Sequence, residues 1–102
     1  MEKEFWTVTE VLEFFQVEEK FLFDLEDEEI IRPTSLEDSG TRHLSLEEME
    51  KVRIAKILFE DMGVNISGVQ VVLHMREQMM EMRRQFDAVL EDLRDRLKEL
   101  RC

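Results

Sequence analysis

Residues 30–48 read IIRPTSLEDSGTRHLSLEE, and the order of signals in this stretch decides the fold. Ile30 and Ile31 run into Arg32-Pro33, and a proline pushes the residue before it out of the α region, so 30–33 is an extended exit from the preceding element. Residues 34–43 are polar and turn-rich, the composition of a hairpin or loop. Ser45, with Glu48 three residues later, is a capping-box signature that opens a helix. The stretch therefore predicts a helix end, a turn-rich excursion and a new helix start within nineteen residues.

Upstream, residues 5–8 form a short strand candidate, and Thr9 offers a hydroxyl cap to a short amphipathic helix carrying Val11, Leu12, Phe14 and Phe15. Val17 closes the turn. A second short helix starts at Glu18 with Phe21, Leu22 and Leu25 on one side, and its first-turn carboxylates suit the positive end of the helix dipole. Downstream, the third helix carries Leu46, Met49, Val52, Ile54, Ile57, Leu58 and Phe59 and stops at Gly63. Asn65 or Ser67 caps the last segment, a proline-free run from Ile66 to about Arg101.

Thirty-six residues of helix make a rod of roughly 54 Å at 1.5 Å per residue. Its apolar positions are Val72, Met75, Met79, Met82, Phe86, Leu90, Leu93, Leu97 and Leu100, at intervals of 3, 4, 3, 4, 4, 3, 4 and 3 residues. This is a heptad seam with one four-residue stutter after Phe86. A rod with that stripe bare is unstable in water, so two copies pairing as a coiled coil is the simplest expectation, with Met79, Met82, Phe86, Leu90, Leu93, Leu97 and Leu100 as the dimerisation residues. Folding back onto the N-terminal residues accounts for Val69 to Met82 at most. Two units are expected: residues 1–65, and the helix of residues 66–102.

The 102 residues carry 14 Lys+Arg and 25 Asp+Glu, a net charge of −11. Residues 1–50 hold 16 acids and 4 bases, net −12, and residues 51–102 hold 9 acids and 10 bases, net +1. All the excess negative charge is N-terminal. Phosphate-backbone binding needs clustered cations, so this half is set against nucleic acid and toward a basic partner, or serves as a solvated acidic surface. The one cysteine, Cys102, leaves no intramolecular disulfide, and His43 and His74 stand too far apart in sequence for a metal site, so no metal or cofactor is expected. No nucleophile, base and orienter occur at recognisable spacing, which makes catalysis improbable. With no leader pattern and no apolar run near the ~18 residues that span a bilayer, a soluble cytoplasmic protein without membrane contact is expected.

Two short helices, a turn-rich wing, a third helix and a long coiled-coil helix resemble the MerR-type winged helix-turn-helix. Thr9-Glu10-Val11 is similar to the opening of that family's first helix, Ile30-Ile31-Arg32-Pro33 to its exit from the recognition helix, and Gly40-Thr41-Arg42-His43-Leu44-Ser45 to its wing. Gly63-Val64-Asn65-Ile66-Ser67-Gly68-Val69 resembles a segment of the heat-shock repressor branch and of the chaperone modulators called CbpM. The resemblance spans about residues 7 to 75. It implies a mostly α protein: a MerR-type winged helix-turn-helix followed by a long C-terminal coiled-coil dimerisation helix.

The departures from the family pattern favour the chaperone-modulator branch. The recognition-helix positions where DNA-binding members place an arginine, a tyrosine and a frequent second arginine hold Phe23, Leu25 and Asp27. From Glu18 to Glu29 there are seven acids against Lys20, and such a helix is repelled by phosphates lining a groove. In the wing, Gly40, Arg42 and His43 include one cation, Arg42, which either braces the wing against the recognition helix or contacts phosphate. Glu29 stands where the family usually has a glycine that leaves the helix through positive φ, so the helix end is open to differing.

The resemblance then implies a non-catalytic regulator that binds the basic J-domain of a DnaJ-like, CbpA-type co-chaperone and inhibits it, acting by charge complementarity. Glu19, Lys20, Phe23, Asp24, Asp27 and Glu28 are the candidate partner-binding residues. Phe23 is either an exposed anchor rimmed by carboxylates or a core residue packed with Phe14 and Phe15. The alternatives are a MerR- or heat-shock-repressor-like DNA-binding regulator, and a structural coiled-coil adaptor with the N-terminal unit as a cap.

Overall fold

The structure, a computed structural model, describes residues 4–35 and 40–101. Glu37 and Asp38 of the wing, and Cys102, lie outside the described residues. The order is β1 (Phe5–Thr7), α1 (Val8–Phe15), α2 (Glu19–Asp27), β2 (Thr34–Ser35), β3 (Arg42–Ser45), α3 (Leu46–Lys56), a π-helical turn (Ile57–Asp61) and α4 (Ile66–Leu100). The chain is mostly helical, with one antiparallel sheet in the order β1-β3-β2. Trp6 pairs with Leu44 and Thr34 with His43, so β3 is the central strand and ties the N-terminus to the wing.

The helix boundaries have local causes. Thr7, rather than the expected Thr9, caps α1: its hydroxyl accepts from the Glu10 N–H at 3.2 Å while the Glu10 carboxylate accepts from the Thr7 N–H at 2.9 Å. A glutamate stands three residues after Thr7, as a reciprocal box needs, whereas three residues after Thr9 stands Leu12, whose side chain has no acceptor with which to reciprocate. The ends of α1 and α2 close alike. Gln16 and Glu29 enter the left-handed region at φ 55° and 59°, and the next residues, Val17 and Ile30, donate to carbonyls five positions back. Glu29 thus keeps the backbone geometry that glycine would supply, at a cost of about 1 kcal/mol.

Ser45 caps α3 as expected, its Oγ accepting from the Glu48 N–H at 3.2 Å, but the expected box is only half used. Glu48 Oε2 instead accepts from the Arg32 N–H at 2.9 Å, fastening the exit from α2 to the start of α3. The α-helical part of α3 stops at Lys56; the π turn comes next, and Gly63 ends it at φ 69°. Asn65 then caps α4 by accepting from the Gly68 N–H at 2.7 Å.

One core gathers the apolar faces. Val11, Leu25, Ile31, Leu44, Val52 and Val69 are its most enclosed large side chains, so every layer contributes, including the first turn of α4. Beyond Leu73 no residue of α4 is buried. Leu46, Ile57 and Phe59, which share the helical pattern of the third helix, are exposed.

A candidate partner-binding surface on the second helix

With Phe21, Leu22 and Leu25 fixed in the core, α2 turns its opposite side to solvent. Lys20, Phe23 and Asp27, at spacings of three and four, share one face and are exposed, and Phe23 is 65% exposed. The structure therefore decides between the two readings of this ring: Phe23 is outside. Phe14 is also exposed, and its ring stands perpendicular to that of buried Phe15, centroids 4.9 Å apart. Glu19 and Glu28 are exposed and Asp24 is half-buried, so all six predicted partner-binding residues lie on one short helix or its C-terminal cap.

The wing closes one side of this surface. Arg42 forms an ion pair with Glu26, one turn along α2 from Phe23. The bracing role for Arg42 is the observed one, and it pairs the wing's exposed cation with a carboxylate of α2. Glu26 is absent from the residues singled out by sequence. Its spacing of three from Phe23 puts it on the same side of the helix, but only the fold brings Arg42 to it. His43 is half-buried, its Nδ1 2.9 Å from the Thr41 carbonyl oxygen, and Gly40 takes φ 70° in the turn before β3. Between α2 and the wing lies a small cleft of about 150 Å³, where Leu22, Phe23, Ile31 and Leu44 form much of the lining and Glu19, Glu26 and Arg42 also border it.

A wider cleft, about 1000 Å³, opens between α3 and α4 and contains His74. Its charges are largely paired: Lys51 lies 3.5 Å from Glu48 and 3.7 Å from Glu77, and Arg84 pairs with Glu81. Glu50, also on this cleft, is held below the usual carboxylate range, chiefly by a hydrogen bond from the Arg53 guanidinium. Among the described residues no group of three or more His, Cys, Asp or Glu could hold a metal ion, and no helix is long and apolar enough to cross a membrane.

The family model described as "MerR HTH family regulatory protein" matches residues 6–92, from β1 well into α4. The chain belongs to the MerR helix-turn-helix family. No curated protein and no solved structure matches it. As a MerR-family regulatory protein it carries the family's helix-turn-helix in α1 and α2, with the acidic, Phe23-bearing face on the second of those helices. The seam residues Met79, Met82, Phe86, Leu90, Leu93, Leu97 and Leu100 form an exposed stripe along α4; Leu90 is the least exposed at 46% and Leu100 the most at 82%.

Proposed function

We propose that this protein is a non-catalytic regulator of the chaperone-modulator type, docking the acidic face of α2 on the basic J-domain of a DnaJ-like co-chaperone and inhibiting it. One observation carries the reading: the exposed side of the recognition helix presents an aromatic ring among carboxylates, and the nearby wing cation is bound to Glu26. A DNA reader gains affinity from cations placed against phosphates, and this helix, net −6 from Glu18 to Glu29, has the opposite sign. A basic helix on a partner protein meets complementary charge around a desolvatable anchor, the arrangement that speeds association and concentrates binding energy in one side chain. In this reading the inhibitor covers the surface with which the J-domain engages its Hsp70 partner. Two copies pair through the seam of α4, so the assembly presents two such faces.

A pull-down from native cytosol tests the partner. Recovery of a DnaJ-like protein, lost when Asp24 and Asp27 are both replaced by lysine, is the expected result. Unchanged recovery by the Asp24→Lys/Asp27→Lys variant contradicts docking through α2. The family's usual role, transcriptional regulation through DNA, is the reading that gains if the wild-type protein instead shows tight, salt-sensitive binding to promoter DNA.

A further inference from the structure

The cleft between α2 and the wing is built by stretches of chain that meet only in the fold. Glu19, Leu22, Phe23 and Glu26, at spacings of three and four, form one stripe of α2 and make one wall. Arg42 and Leu44 of β3 make another, and Val8 at the start of α1 and Ile31 in the exit from α2 also line it. Leu22, Ile31 and Leu44 are buried and Val8 is half-buried, so core side chains form the base of the recess while exposed Phe23 forms an edge. Its volume of about 150 Å³ matches that of an apolar cavity able to hold one benzene.

The two carboxylates on the border are not equivalent. Glu26 is paired with Arg42, whereas Glu19 has no ion-pair partner among the described residues. Glu19 stands one helical turn from Leu22 and Phe23 and about 10 Å along the axis from Glu26. One end of the recess thus carries an internal ion pair and the other an open carboxylate. We infer that the recess is a specificity pocket for one apolar side chain, of leucine to phenylalanine size, carried by a basic helical segment of the partner whose lysine or arginine one turn away meets Glu19. This rests on the docking of α2 proposed above and names what that face selects. An acidic face alone attracts any cationic protein, but a recess of fixed size beside one open carboxylate rejects a segment that would bury a polar side chain there without a hydrogen-bond partner. The orientation follows from the same asymmetry: a cation at the Glu26 end meets Arg42, so the segment lies with its cation toward the N-terminus of α2.

Titration of the full chain, methyl-labelled, with the isolated J-domain of a DnaJ-like co-chaperone tests the pocket. The methyl resonances of Leu22, Ile31 and Leu44 are expected to shift on binding, and those of Leu73 and Leu90 on α4 to stay in place. Val8→Phe fills the recess without altering any charge and is expected to weaken binding about tenfold or more. Glu19→Gln is expected to weaken it about fivefold, and Glu18→Gln, which removes the same charge from the neighbouring N-cap residue, less than about twofold. Wild-type binding without methyl shifts at the recess, or with equal affinity in Val8→Phe, overturns the pocket and leaves docking through the acidic face intact. Equal losses in Glu18→Gln and Glu19→Gln overturn the assigned cation contact, since a general acidic field produces them. No binding of the J-domain by the wild-type protein overturns both the pocket and the docking. Should Val8→Phe fail to fold, the methyl shifts and the two glutamine variants decide alone.

Discussion

Glu29 shows how a single residue can keep a geometry that its side chain disfavours. Its φ of 59° closes α2 and turns the chain into Ile30 and Ile31, both buried, so the core holds the residue where glycine would rest without strain. Glu29→Gly is expected to stabilise the protein by about 0.5–1 kcal/mol, read as a rise in Tm of several degrees, because relief of the left-handed strain outweighs the entropy glycine adds to the unfolded chain. Glu48 is the converse case, a glutamate whose carboxylate holds a backbone N–H sixteen residues away. Glu48→Ala should cost about 1–2 kcal/mol, and Glu47→Ala, at an exposed position of the same turn, much less. Equal effects in thermal unfolding would show that the Arg32 contact contributes nothing. The Glu48 to Arg32 link was not legible in the sequence, because a glutamate three residues after a serine cap signals the local box and nothing local indicates a distant competitor for its carboxylate.

At the scale of elements, α2 is a helix whose two faces do different work. Phe21, Leu22 and Leu25 give it its place in the core, and Phe23 adds nothing to that packing. Phe23→Ala is therefore expected to leave Tm within about 2 °C of wild type while weakening binding of a J-domain at least tenfold; a large drop in Tm would mean that the ring is structural after all. The apolar spacing of this helix made its core face readable from sequence, and the face of Phe23 became readable only once Leu22 and Leu25 were fixed inward. The wing was legible as a turn-rich break, but the direction of Arg42 was not, since both bracing and phosphate contact suit one arginine in a loop. Its ion pair with Glu26 depends on β3 lying between β1 and β2, a non-local arrangement. The cap of α1 was misplaced by two residues for a local reason: Thr7 and Thr9 both offer hydroxyls, and Glu10 decides between them.

At the scale of the whole molecule, charge and apolar surface are divided between two regions. The first fifty residues carry a net −12 and the rest +1, while the seam lies wholly in the second half. The chain keeps the shape of a MerR-family helix-turn-helix, yet α2 bears the wrong sign for a phosphate backbone. The fold class was readable because each local signal, the proline exit, the Ser45 cap, the Gly63 stop and the proline-free run from Ile66, agreed with the others. The identity of the partner proposed for α2 was not, because surface charge specifies a partner's sign and not its name. Calorimetric titration at low ionic strength addresses the point most directly, with the protein set in turn against the isolated J-domain of a DnaJ-like co-chaperone and against mixed-sequence duplex DNA. Binding to the J-domain that weakens as salt is raised and is lost in Asp24→Lys/Asp27→Lys, with no heat from DNA, is the predicted result; tight binding to DNA with none to the J-domain would contradict it.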